Sequence, residues 1–391
     1  MAVLSAAGRA YPAGPRSTGR GRPETIGVER PGARLAAVRL QVRVGSADEG
    51  PGEHGLAHVV EHLVVRSLPA GGRTGPGVLA DARTGREHTA YSALVRRADA
   101  PAALVTLAAA LGELRLPPGA LGAELAGIRQ ETAQRHADPR WRLQEALLGA
   151  LWAGTSHAHS PLGDPAVLNA LTEERVRRFH ARWYHPSRAT AVVVADRPGE
   201  VLTAAGAWPG DRAGHGAPAD SAARGAGPAA RGVRLALPAA PPGPRPSRPP
   251  SRPAGRRTVG LAFVAGPRDP YLRACQDLAR RAVRAESGLD VQVGEFGGYA
   301  CVWAMLAAPD AEAGTLALRR ALLRTRERLL GPDGERLLRA GALIPALRAA
   351  DAPDAVAAGA AGAAVAAPET VRAADAAAVT ESWERHIGEI P

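Results

Sequence analysis

The feature that most limits how this chain can fold is a stretch that cannot join a core. Between Gly206 and Arg257, "PAAPPGPRPSRPPSRPAGRR" included, Pro, Gly and Arg crowd out apolar residues. Proline withholds a backbone donor and glycine offers no side chain to pack, so the composition reads as a connector. It divides the 391 residues into two parts, each long enough to bury a core. The expected division is 1–33 as a loose N-terminal segment with a short strand, 34–205 as one domain, 206–257 as linker and 258–391 as a shortened second domain.

Both parts follow a similar plan. In the first, "VRLQVRV" puts Val38, Leu40, Val42 and Val44 on one face of a half-buried strand, and "EHTAYSALVRR" reads as another strand. Helices are expected over "PAALVTLAAALGEL", from about Pro118 to Ala137, over "WRLQEALLGALW" and over "LTEERVRRFHARWY". In the last of these, Thr172 serves as N-cap and Val176, Phe179 and Trp183 face inward. "ATAVVVAD" closes the part as a buried strand. After the connector, "TVGLAFVAG" and "YACVWAMLA" are strands, with helices over "DPYLRACQDLARRAVRAESG" and from about Asp310 to Ala350. The repeated order points to an internal duplication and an α+β fold of two homologous α/β-sandwich domains, each a mixed sheet with helices.

Charge narrows the function. The net +11 contains no Lys, and the connector alone holds nine Arg against two Asp, or +7. No recognisable nucleic-acid module accompanies that charge, so no nucleic-acid partner is expected. Cys275 and Cys301 are far apart and read as reduced core thiols. Arg9 and a short mild apolar run make no secretory signal, and no stretch approaches the ~18 apolar residues of a membrane span. The expectation is a cytoplasmic protein with no membrane partner.

The chemistry concentrates in "GEHGLAHVVEHLVVRS". His58 and His62 are four residues apart and so share a helix face, with Glu61 beside them. Two imidazoles so spaced can hold Zn²⁺ and an adjacent carboxylate can act as general base. The candidate third ligand is Glu131 in "AELAGIRQETAQRH", with Glu124 two turns earlier on the same face as its support. The second part has no such histidine pair, so any metal site belongs to the first. His54 reads as a loop residue, and His88, His157 and His159 as exposed polar residues.

These residues resemble the pitrilysin/insulinase family of metallopeptidases, of the mitochondrial processing peptidase type. "GLAHVVEH" is similar to the family's inverted zinc motif, and Glu124 and Glu131 match its Glu-x6-Glu helix. "VRLQVRVGSADEGPGEHGLAH" resembles the strand, turn and acidic lead-in, and "RFHARWYHPSRATAVVVAD" the close of the first domain. "DARTGREHTAYSA" resembles the substrate-pairing strand through Ala82, Thr84, Glu87, Thr89 and Tyr91, with Asp81 where the family has Asn. The resemblance is dense over 35–196 and extends more weakly through "LARRAVRAESGLDVQV", where Arg284 fits a substrate-holding Arg but Val291 replaces its Tyr partner. His62 and Glu131 are closer in sequence than the family usually has them, which calls for a shortened helix between His62 and Asp81.

The resemblance implies a clamshell of two domains and a zinc metalloendopeptidase acting on peptides or unfolded segments, with leader-peptide processing as one task. It implies His58, His62 and Glu131 as Zn²⁺ ligands, Glu61 as catalytic base and Glu124 as their support. Asp81, Ala82, Thr84, Tyr91 and Arg284 are implied to bind substrate. A homodimer or a heterodimer with a related subunit is expected. The alternatives are an active subunit that needs a substrate-holding partner, a non-catalytic scaffold subunit of the same fold, and a structural zinc protein.

Overall fold

The computed structural model describes residues 2–5, 23–68, 73–75, 78–79, 81–204, 227–229, 232–237, 257–267, 278, 281–284, 289–337 and 357. They fall into two compact units, whose division passes through one helix after Ile128.

In the first unit the strands are β1 (Ala2–Ser5), β2 (Glu24–Glu29), β3 (Leu35–Val42), β6 (Asp81–Thr84), β7 (Thr89–Arg96) and β8 (Ala189–Ala195). Their order is β1-β2-β8-β3-β7-β6, parallel from β1 to β8 and antiparallel beyond. The expected loose N-terminal segment therefore supplies two strands, because β2 finds its backbone partners along β8. A short pair, β4 (Arg73–Gly75) with β5 (Val78–Leu79), lies where the shortened spacing before Asp81 falls.

Strand β3 is interior to the sheet, and this corrects the half-buried expectation. Ala36, Val38, Leu40 and Val42 enter the main core, while Ala37 on the opposite face packs with Ile26, Val28, Val192, Val194 and Ala357. The main core is completed by α1 (Leu56–Ser67), α2 (Ala100–Ala108), the first half of α3 (Ala120–Ala137), α5 (Pro165–Asn169), α6 (Glu173–Trp183) and α7 (Pro198–Ala204). Helix α6 follows its sequence closely: the Thr172 hydroxyl accepts from the Arg175 N–H, and Val176, Phe179 and Trp183 are buried.

In the second unit α4 (Pro139–Leu151) packs Leu143, Leu147, Leu148 and Leu151 on a four-stranded antiparallel sheet. Its order is β11 (Asp290–Phe296), β12 (Tyr299–Ala308), β10 (Arg257–Pro267) and β9 (Gly232–Leu237). Strand β9 lies inside the segment expected as linker and pairs antiparallel with β10, Leu235 opposite Gly260. Gly260 lets α4 approach, since a Cβ there would sit 2.7 Å from Leu147 Cδ1 and 2.9 Å from Leu143 Cδ2. Helix α8 (Ala311–Leu330) is capped by Asp310, which accepts from the Ala313 N–H at 2.7 Å. Cys301 is buried, whereas Cys275, most of the expected 269–288 helix and nearly all residues after 337 lie outside the described residues. Among the described residues no helix is long and apolar enough to cross a membrane.

One buried group gives the first unit a measurable acid sensitivity. His180 on α6 donates from Nε2 to the Ala110 carbonyl at 3.0 Å, and burial pushes its pKa down from 6.5 to about 4. The unfolded chain then binds the extra proton between those values, so stability is lost as pH falls through that window. Between pH 7.5 and 5 this one group should cost about 2 kcal/mol. Urea unfolding at both pH values should show that loss in the wild type and a correspondingly smaller one in His180→Gln. Equal acid losses in the two proteins would rule out this origin.

Candidate metal centre

Helix α1 begins at an unusual place. Its N-cap is Gly55, at φ +99°, which has no side chain to receive the first orphan N–H groups. Glu49 takes that part from outside the helix: its carboxylate accepts from Gly55 N at 2.9 Å and from Ala57 N at 2.7 Å. His159 backs the same carboxylate, with Nε2 3.2 Å from Glu49 Oε2 and 2.5 Å from the Ser46 carbonyl. The His54 ring stacks on His159 with centroids 4.1 Å apart. Burial pushes the Glu49 carboxyl above its ordinary value, against the opposing pull of His159 and the two N–H groups. His54 is lowered, first by burial and then by the charge of His159. Gly163 closes the contact: a Cβ there would lie 2.3 Å from Gly55 Cα and 2.6 Å from the His54 carbonyl.

One turn into α1 the histidines converge. His58 Nε2 and His62 Nε2 are 3.2 Å apart, and their rings meet edge to face. The ligand atoms of His58, Glu61 and His62 all lie within 4.8 Å of one another. His58 and Glu61 are buried, and His62 is half-buried. Behind His62, Nδ1 lies 3.3 Å from Glu124 Oε2, while the other oxygen of Glu124 accepts from Arg66 at 2.8 Å. Glu61 Oε2 accepts from the Thr84 hydroxyl at 2.5 Å.

The remaining expected residues divide. Glu131 is two turns beyond Glu124 on α3, half-buried, and ion-paired with Arg135 at 3.5 Å; it is not one of the converging group. Asp81, Ala82 and Thr84 lie on β6, which pairs only with β7 among the described residues. Tyr91 is corrected: it is fully buried on the core face of β7, and its hydroxyl shares a 2.8 Å hydrogen bond with Tyr184. A residue so placed cannot touch a substrate, and burial raises its phenol well above the ordinary value. Arg284 is exposed, and Val291 is buried in β11. His157 and His159 are not exposed polar residues: His157 is buried against Trp152, and His159 is held by Glu49. Glu49 and His159 were missed, although a helix opening on glycine six residues after an acidic pair signals that a cap must come from elsewhere.

The donor set fits Zn²⁺. Two convergent imidazoles are typical zinc donors. A carboxylate on the outer nitrogen is how a ligating histidine is commonly oriented.

Comparison with known proteins agrees. Residues 25–165 match the model of the family described as Insulinase (Peptidase family M16). An uncharacterized zinc protease of Mycobacterium bovis is 31% identical over 165 residues, covering 40% of this chain and 38% of that protein. The chain thus matches well under half the length of that relative. Among solved structures, a protease from Helicobacter pylori has a TM-score of 0.72 at 15% identity, over 93% of this chain and 94% of that one. A peptidase M16 inactive domain from Pseudomonas fluorescens has a TM-score of 0.64 at 16% identity, over 94% of each. The fold is therefore that of M16-like peptidases, an α+β arrangement of two domains. The part of the chain that carries the insulinase-family match, residues 25–165, is the part that holds His58, Glu61 and His62.

The cap generates a prediction separable from catalysis. Glu49→Ala removes both acceptors from the start of α1, leaving two buried N–H groups unmet. Urea unfolding should show a loss of about 2–4 kcal/mol. A loss below about 0.5 kcal/mol would mean that the helix start does not depend on Glu49.

Proposed function

We propose that the chain is a zinc metallopeptidase that hydrolyses peptide bonds in peptides or unfolded segments. The observation that carries this reading is the convergence of His58 Nε2 and His62 Nε2 beside the Glu61 carboxylate. His58 and His62 would hold the metal, with Glu131 assigned as third ligand by resemblance alone, and Glu124 orients His62 through Nδ1. When bound, zinc supplies Lewis acidity, polarising the scissile carbonyl and making a water acidic enough to attack near neutral pH. Glu61 would serve as the base, taking a proton from the attacking water and delivering it to the leaving amine. Among the described residues β6 is the last strand of its sheet, and this supports an extended peptide adding along its backbone around Asp81 and Ala82. Arg284 is assigned to substrate holding by resemblance alone. Leader-peptide removal is the task suggested by family analogy.

A second reading rests on Val291. It is 2% exposed, an apolar side chain turned into the sheet's own packing where the family has a substrate-holding Tyr. This favours an active subunit completed by a related partner over a self-sufficient homodimer. A non-catalytic scaffold is disfavoured because His58, Glu61, His62 and Glu131 are all present here.

Elemental analysis of the purified chain should find about one zinc per chain, lost in His58→Ala and His62→Ala. Glu61→Gln should keep the metal and lose at least about 100-fold in turnover, whereas Glu131→Gln should weaken metal binding. Failure of the wild type to take up zinc would remove the reading, and full activity in Glu61→Gln would remove its base. Poor turnover by the zinc-filled chain alone, restored by a related subunit carrying both Arg and Tyr, would select the second reading. High activity of the purified homodimer would eliminate it.

A further inference from the structure

Thr84 occupies a position whose geometry departs from the substrate-binding part the motif suggests. On β6 the burial alternates, with Asp81 and Arg83 exposed and Ala82 and Thr84 half-buried. Thr84 therefore points away from the exposed face, and its hydroxyl lies 2.5 Å from Glu61 Oε2. Its cross-strand partner in register is Thr89, whose hydroxyl is 3.3 Å away. Thr89 is fully buried and gives its own proton to the Val44 carbonyl at 2.9 Å.

Counting protons fixes the direction of the chain. A threonine hydroxyl has one proton to donate. Thr89 spends its proton on Val44, so it can only accept from Thr84. Thr84 has two acceptors in view, a neutral hydroxyl at 3.3 Å and a carboxylate oxygen at 2.5 Å. The shorter, charge-assisted bond is the stronger, so Thr84 donates to Glu61.

From this we propose that Thr84 is a positioning residue: its hydroxyl holds Glu61 Oε2 and leaves Oε1 as the oxygen that handles the proton in hydrolysis. A glutamate side chain on a helix has three torsions to fix, and the base must stay close to one geometry to act. The edge strand then divides its labour. Its backbone is the surface for an extended peptide, while the Thr84 side chain reaches inward to the base, so the strand that receives substrate also sets the reacting group. The inference rests on the peptidase reading for its catalytic consequence, but not for the hydrogen bond itself.

The test uses the full chain with two variants. Thr84→Val keeps the β-branched shape and removes the hydroxyl, and Thr84→Ser keeps the hydroxyl. In zinc-free protein labelled with ¹³C at the glutamate carboxyl carbon, the Glu61 resonance is identified by its absence from Glu61→Gln. It should move in Thr84→Val and stay near its wild-type position in Thr84→Ser. With zinc loaded and fluorescein-labelled casein as an unfolded substrate, Thr84→Val should lose roughly 10- to 100-fold in kcat with little change in KM. Thr84→Ser should stay within about threefold, and zinc content should be equal in all three proteins. An unmoved Glu61 resonance in Thr84→Val overturns the proposal, as does a Thr84→Ser protein as impaired as Thr84→Val. If zinc-loaded wild type leaves casein intact while the resonance moves as expected, the peptidase reading fails for this substrate and the positioning of Glu61 stands.

Discussion

The histidine cluster depends on how the first turn of α1 is held. A helix start leaves backbone N–H groups without partners, and a glycine N-cap cannot supply the usual side-chain acceptor. Here a carboxylate six residues upstream fills the gap, held in turn by an imidazole far along the chain. His58 is one residue past the second of those two N–H groups, so any drift of the helix start would move the first imidazole directly. The opposite end of the site is secured by Glu124, which ties α3 to α1 through His62 and Arg66. The donor cluster is therefore braced from both sides by carboxylates that are not themselves in it.

Local spacing made the site legible. Residues four apart on a helix share a face whatever surrounds them, so His58, Glu61 and His62 could be grouped from the sequence; the meeting of Glu124 with His62 joins two separate helices, which no helical period reports. The same locality made α6 and its Thr172 cap readable. Tyr91 shows the opposite case. Strand parity puts it with Ala93 and Val95, both core residues, yet motif resemblance drew it toward the substrate. The period-two pattern was the better guide. Strand β3 was misjudged for another reason: burial of its second face depends on β2, β8 and Ala357, which its own alternation cannot report.

The parts that could not be read are those made by distant pieces of chain. Nothing local to "SHAHSPLGD" announces that His159 will meet Glu49, or that Gly163 must be bare for Gly55 to approach. Strand β9 was hidden by composition, since a six-residue alternation inside a Pro/Gly/Arg-rich stretch becomes a strand only because β10 offers it an edge.

That distance has a consequence for the order of events during synthesis. Glu49 and His159 are separated by 110 positions, and Asp164 N bonds the His54 carbonyl across the same span. At translation rates of 5–20 residues per second, His58 and His62 precede their brace by roughly 5–20 s. Throughout that interval the segment that becomes α1 has no His159 to back the Glu49 carboxylate. The brace on the helix start is thus complete only once the segment around His159 has emerged.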